Sequence, residues 1–269
     1  MPVVDHPVTI AADPSTIVWK YFKRQFFDDL IANEALFFRR VIDFALTDDP
    51  FEGTITCVDK DRDKWRALAS PNLDISSLKM RVEMAESIDG FGMRAGTVIN
   101  SWTMHEKELE HMWRIYADAH RDQHGVAIWS TVGQITKALS QANENVYASR
   151  IRYIDYENEP FYKKGEYEHG TWNVMVPLIH KHAHGYLDER EFRLLHQYAG
   201  GGNPEEWWTD YGSCRGHKIR VDLAELISGI VVSPWTTTQQ KDEIRSLCVQ
   251  KGVFAPVNFS KRSIHRGCP

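Results

Sequence analysis

Carboxylates and a guanidinium recur at every second position in the stretch Tyr186-Leu187-Asp188-Glu189-Arg190-Glu191-Phe192-Arg193-Leu194-Leu195. Side chains on a strand alternate between its faces. That alternation predicts Glu189, Glu191 and Arg193 on one face, with Arg190, Phe192 and Leu194 on the other. Like charges at this spacing push one pKa up, while an arginine beside them keeps the other carboxylate ionised. Such a group, with Glu191 facing a cleft, can hold a ribose hydroxyl or stabilise a developing cation. The same pattern also describes a solvated strand face laced by surface ion pairs, which contribute little.

Other groups invite chemistry at lower specificity. His180, His182 and His184 alternate, so an extended chain would align three imidazoles on one face. This is half of a metal site, but no thiolate or carboxylate stands at a diagnostic spacing, so no metal is expected. A pH-sensitive surface patch is the other account. His120 and His124 are four apart. Asp48-Asp49-Pro50 with Glu52 either caps a turn or meets a cation. Ser213 and Cys214 lack the context of a nucleophile elbow. Lys261, Arg262, His265 and Arg266 make the segment 259–269 a basic tail.

These groups need elements to position them. Residues 1–14 read as an extended arm, and residues 15–258 as a single α+β domain. Ile17 to Phe22 is a strand rich in β-branched and aromatic residues. Phe26, Phe27, Leu30 and Ile31 fall at helical spacing, and Glu34 to Phe38 returns to strand character. Thr47 to Gly53 is a turn. Residues 59–88 are charged and helical in part, and glycines loosen the chain after them. Val98 to Trp102 is a strand. Leu109, Met112, Trp113, Tyr116 and Ala117 mark a helix from Glu106 to His120. Val126 to Trp129 is a buried strand, and Ser130 or Thr131 caps a helix running to Ala142. Val146 to Tyr156 alternates as a strand, and Glu159 to Glu168 is a charged turn region. Asn173 to Ile179 is apolar and fits either helix or strand. A Gly- and Trp-rich loop, 200–216, looks like an insertion. Leu226 to Val232 is a strand, Thr236 or Thr237 caps a helix over Gln239 to Gln250, and Val253 to Val257 is a last strand. Strands and helices do not alternate regularly, which favours α+β over a doubly wound fold.

Composition narrows the partners. The 269 residues are 42% hydrophobic and 26% charged, a globular balance. A net charge of -5 weakens the case for a general nucleic-acid binder, which carries a basic field. Met1 to Pro14 lacks the basic start and apolar run of a signal peptide. No run of about 18 apolar residues crosses a membrane. A cytoplasmic protein with reduced thiols is the expectation for Cys57, Cys214, Cys248 and Cys268, which form no Cys-x-x-Cys pair.

Several of these pieces occur together in a bacterial family, domain of unknown function 2971, which the chain resembles. They are Trp19-Lys20-Tyr21-Phe22-Lys23, Asp48-Asp49-Pro50-Phe51-Glu52, Asn100-Ser101-Trp102, Met112-Trp113-Arg114-Ile115-Tyr116-Ala117, Gly125-Val126-Ala127-Ile128, and Tyr186 with Glu189, Glu191 and Arg193. Tyr186 stands where a Trp is usual, and Asn100-Ser101 replaces Cys-Phe-Ser. A more distant similarity is to ADP-ribosyltransferase-like proteins. These carry a basic residue on a first strand, Ser or Tyr on a second, and a catalytic Glu, often in Glu-x-Glu, on a later one. That similarity implies a split, mostly antiparallel sheet flanked by helices. It also implies a nicotinamide dinucleotide (NAD) as substrate, with no metal, and a protein or nucleic-acid acceptor, or hydrolysis of the dinucleotide. By analogy, the role would be that of a toxin or antiphage effector. On the residues of this chain, it makes Glu191 the carboxylate that stabilises the cation. Glu189 orients or deprotonates the acceptor, and Ser101 positions Glu191. Lys20, with Lys23, meets phosphate; Tyr21, Trp102 or Trp113 stacks on a base; and Arg193 completes the site. Two rival readings stay open: a non-catalytic module that binds a nucleotide or nucleic-acid end, and a metal-dependent hydrolase built on the histidines.

Overall fold

The computed structural model describes residues 3–47, 49–61, 94, 96–117, 124–161, 175–197 and 216–261. Within them the chain is α+β, built on a nine-stranded, mostly antiparallel sheet. The charged stretch 62–88, His120, the 200–215 loop with Ser213 and Cys214, and the tail beyond Lys261 lie outside the described residues.

The sheet starts from β1 (Ile17–Phe22), whose alternation sorts two apolar sets. Val18 and Phe22 enter the main core, while Trp19 and Tyr21 pack on the opposite face. Helix α1 (Arg24–Asn33) buries Phe27, Leu30 and Ile31, but Phe26 is exposed, so the apolar stripe is one residue narrower than its spacing implies. The chain leaves α1 through Glu34 in the left-handed region and enters β2 (Ala35–Arg40) and α2 (Val41–Thr47). Then come β3 (Thr97–Thr103), α3 (Glu110–Tyr116), β4 (Val126–Thr131) and α4 (Val132–Ala138). Thr131 and Gln134 form a reciprocal capping box that starts α4 where the sequence places it.

The alternating run after Val146 is broken. It divides into β5 (Tyr147–Arg150) in the main sheet and β6 (Arg152–Ile154), which pairs in parallel with β7 (His180–His182) apart from it. A 3₁₀ turn, Val176–Ile179, leads into β7, settling the ambiguous apolar segment. Next are β8 (Glu191–Gln197), β9 (Gly216–Arg220), α5 (Leu223–Leu226), β10 (Gly229–Val232), α6 (Thr238–Gln250) and β11 (Val257–Phe259). Two expected strands shift. The run from Leu226 starts as the end of α5, because Asp222 caps that short helix with its carboxylate. The last strand begins at Val257, where parallel pairing with β10 begins.

The sheet forks at β3. On one edge β3 pairs fully with β8, which pairs with β5. On its other edge it meets two strands: β1 at Trp19↔Thr103 only, and β2 at Arg39↔Ile99 and Arg40↔Val98. One prong then runs β1-β4-β10-β11, and the other runs β2-β9. Between the prongs, side chains replace the missing ladder. Lys20 Nζ donates to the Ser101 carbonyl at 2.8 Å, and Asn100 Nδ2 donates to the Phe37 carbonyl at 2.8 Å. Along the stem edge, residues 3–10 follow β5: Val4 N–H donates to the Val146 carbonyl, and Arg150 N–H to the Ile10 carbonyl.

The main core fills one face of the sheet, from Val18, Phe38, Trp102, Phe192 and Leu194 out to Ile244 on α6. On the other face, α3 lays Met112 and Trp113 against Trp19, Tyr21 and Val231. That helix begins at Glu110, later than the periodicity implied, because Leu109 is still extended. A second patch on this face joins Ile99, Leu178, Ile179 and Leu195. The polar cluster sits beside these two patches. No helix among the described residues is long and apolar enough to cross a membrane.

Candidate functional site

Alternation along β8 and β3 decides what converges. The pairs Ser101↔Arg193 and Thr103↔Glu191 put four polar side chains on one face, while Trp102 and Phe192 go to the main core. Glu191 and Arg193 therefore share a face, as their spacing predicts. Glu189 does not belong to the strand. Leu187–Glu189 is a 3₁₀ turn, closed by Arg190 in the left-handed region at φ 43 and ψ 56. The turn still returns Glu189 to the cluster, because Thr103 Oγ1 donates to the Glu189 carbonyl at 2.5 Å.

Arg193 lies at the bottom, 1% exposed, with all of its N–H groups engaged. Nε donates to Glu191 Oε1 at 2.7 Å and Nη2 to Glu191 Oε2 at 3.0 Å. Nη1 and Nη2 grip Glu52 at 2.5 and 3.0 Å. Nη1 also takes the Leu178 carbonyl at 2.8 Å, one of the carbonyls a helical turn leaves unpaired. The Ser101 hydroxyl donates a short bond to Glu191 Oε1. Burial would raise the Glu191 pKa, but Arg193 and then Lys181 outweigh it and hold it down at about 2. Ordinary surface pairing does not describe this group.

Lys181 is the second cation. Its ammonium lies 2.8 Å from Glu189 Oε2, 3.5 Å from Glu191 Oε2 and 4.0 Å from Asp49 Oδ2. It also sits over the Tyr186 ring, 4.3 Å from the centroid. Burial opposes its charge, yet Glu191, Glu52 and Glu189 together keep it protonated above the usual lysine range. Asp49 is 3% exposed, and its carboxyl is pushed up by burial and by Glu52. Tyr116 closes the outer side, donating from its hydroxyl to Glu189 Oε1 at 2.6 Å, while 43% of its surface stays exposed. The Tyr153 hydroxyl accepts the Glu191 N–H at 2.9 Å. The cluster thus grades from a sealed floor of Glu52, Arg193 and Glu191 to an outer rim of Glu189, Lys181, Tyr186 and Tyr116.

Several expected binding residues do other work. Glu191 is 3% exposed and faces this network rather than an open cleft. Arg193 has no donor left for a cofactor. Trp102 is 2% exposed in the main core, on the face opposite Glu191, and Trp113 is 1% exposed, so neither ring stacks on a ligand. Tyr21 is buried, meets Trp113 edge-on at 5.1 Å, and accepts the Leu109 N–H. Lys23 stands at the N-cap of α1, past the end of β1. Lys20 lies between the Phe22 and Trp102 rings, 5.8 and 5.7 Å from their centroids. Burial pulls its pKa to about 8, with Glu191 opposing.

His180 and His182 share a face of β7, and the His184 ring follows at 6.2 Å from that of His182. His180 is buried against the Val176 carbonyl, His182 lies by the Tyr156 N–H, and His184 is exposed in a turn. Among the described residues no three His, Cys, Asp or Glu side chains are grouped to hold a metal ion. Lys181 is the member of the cluster that sequence reasoning passed over, whereas Glu52, read as capping a turn or meeting a cation, meets the Arg193 guanidinium. Lys181 stands between two histidines that drew attention from it.

Comparison of the chain with protein-family models, with characterised proteins and with solved structures finds no match.

Proposed function

We propose that the chain is an enzyme of ADP-ribosyltransferase-like fold that breaks the nicotinamide–ribose bond of a nicotinamide dinucleotide and passes the ribosyl group to a protein, a nucleic acid or water. The observation that carries this reading is the hydroxyl of Ser101 on Glu191 across β3 and β8, with Glu189 brought to the accessible rim two residues earlier. The forked, mostly antiparallel sheet supports it. In the reaction the C–N bond breaks, its electron pair leaves with nicotinamide, and an oxocarbenium ion forms at the ribose. A carboxylate at that carbon lowers the barrier. Glu189 takes this role, because its carboxylate lies on the accessible rim, 15% exposed against 4% for that of Glu191. The acceptor's proton passes to Glu189 as the new bond forms. Glu191 acts as a positioning residue through Lys181 and Ser101.

Incubation with the labelled dinucleotide tests this by nicotinamide release. Glu189→Gln should keep the fold and lose about 10²–10³ in rate, the usual loss for a preorganised electrostatic group. Full activity in that variant sinks the mechanism. A second reading, a non-catalytic nucleotide- or nucleic-acid-end-binding module, draws on the saturation of Arg193 and Glu191 by protein partners. Tight nucleotide or nucleic-acid binding without turnover would favour it.

A further inference from the structure

Both oxygens of the rim carboxylate have partners. Glu189 Oε2 holds the Lys181 ammonium at 2.8 Å, and Oε1 accepts the Tyr116 hydroxyl at 2.6 Å. Tyr116 ends α3, and the other end of that helix is tied down. The Leu109 N–H donates to the Tyr21 hydroxyl at 2.9 Å, and Trp113 Nε1 donates to Glu108 Oε2 at 3.0 Å. The Tyr116 side chain nevertheless stands at the surface, 43% exposed. A nucleophilic hydroxyl and its base need a separation of about 2.6–3.2 Å, and this pair has it.

The other nucleophilic groups of the cluster are turned elsewhere. The Ser101 hydroxyl donates to Glu191, a residue 3% exposed. The Tyr153 hydroxyl accepts the Glu191 N–H at 2.9 Å. Against burial, Glu191, Glu52 and Glu189 keep Lys181 protonated, so its nitrogen has no lone pair to attack with. Tyr116 combines exposure with a direct hydrogen bond to the carboxylate that takes the acceptor's proton. Desolvation of the phenol, and then the charge of Glu189, raises its pKa. The proton therefore stays on the oxygen until a new bond forms there.

On the enzymatic reading above, and resting on it, we propose that Tyr116 is a modification site: the chain transfers the ribosyl group of the dinucleotide to its own Tyr116 oxygen. The C–N bond breaks and its electron pair leaves with nicotinamide. The phenolic oxygen bonds to the ribosyl carbon, and the phenolic proton passes to Glu189 and from there to water. Base and acceptor are already in contact, so this acceptor has no encounter to wait for. The product carries a bulky diphosphate-bearing group on the rim and has lost the hydrogen that Glu189 accepted. Modification therefore obstructs the site that performs it, and the reaction limits itself.

The test incubates the full chain with a nicotinamide dinucleotide labelled in its adenosine half. Released nicotinamide and label on the chain are measured together, and the modified peptide is mapped by mass spectrometry. Wild type should take up a single group, on Tyr116. The bond should resist hydroxylamine, which cleaves an ester to a carboxylate but not a phenolic acetal. The rate of labelling should not change on dilution, because base and acceptor belong to one chain. Tyr116→Phe and Glu189→Gln should each lower the labelling at least about tenfold, the first by removing the nucleophile and the second by removing its base. Mapping of the wild-type label decides the matter even where Tyr116→Phe releases no nicotinamide. Release that leaves the wild-type chain unlabelled, a label on another residue, or labelling that slows on dilution overturns the modification site and leaves the enzymatic reading. Absence of release by wild type overturns both.

Discussion

Replacing Arg193 by methionine should be the most damaging single change in the buried network. The side chain holds Glu52 and Glu191 with four hydrogen bonds and a backbone carbonyl with a fifth. All three residues are within 3% of full burial. Methionine fills most of the volume, so the cost is electrostatic: two carboxylates lose their shared cation inside the protein. Breaking a buried pair in this way costs about 3–5 kcal/mol. At about 2–4 °C per kcal/mol for a chain of this size, the melting temperature should fall by roughly 6–20 °C. Acid gives an independent check. The Glu191 pKa is about 2 in the fold against an ordinary value of 4.5. The folded carboxyl binds its proton less readily than the unfolded one. Its contribution is therefore complete above about pH 4.5 and is lost as the pH falls toward 2, roughly 3 kcal/mol in all. Arg193→Met should shrink that acid slope, because the main cause of the depressed value is gone. Denaturant melts from pH 7 down to pH 3 measure both effects. A variant that melts within about 2 °C of wild type at pH 7, or keeps its acid slope, would refute the assignment.

Two further changes probe the supports of the site, beside the Glu189→Gln experiment. Gly53 follows Glu52 at φ 69, and an added Cβ would lie 2.9 Å from Val41 Cγ1, so Gly53→Ala should destabilise by more than about 1 kcal/mol. Double-mutant cycles with Arg193→Met should show coupling, and strict additivity would mean that the turn does not hold Glu52 in place. Lys20 has a pKa of about 8 in the fold against 10.5 ordinarily. The unfolded chain binds the extra proton in that interval, so stability should rise from pH 8 to 10.5, and Lys20→Met should flatten the rise.

How far the sequence disclosed this arrangement depends on the range of each interaction. The strands around Trp19, Val98 and Val126, and the Thr131 and Thr237 caps, are written in local periodicity and hydrogen-bonding side chains, and they stand where expected. Alternation also placed Glu191 with Arg193. It failed one step earlier, because Arg190 turns left-handed with no glycine to announce it. The partners of Arg193 and Glu189 come from far along the chain. Glu52 is 141 residues from Arg193, and Tyr116 is 73 from Glu189. No spacing rule links residues so separated. The resemblance made Trp102 a ring to stack on a base, whereas the pleat sends it to the main core, on the face opposite Glu191.

A sheet that branches has three margins where an unbranched one has two. Among the described residues they are β11, β9 and β5, and a bare margin is a row of backbone groups able to recruit a foreign strand. The third margin, β5, borders β8 and so lies one strand from the carboxylates. Residues 3–10 run along it and occupy its donors and acceptors at Val146, Ser149 and Arg150. The N-terminal arm is therefore a hem on the fold, closing against aggregation the margin that the branching created.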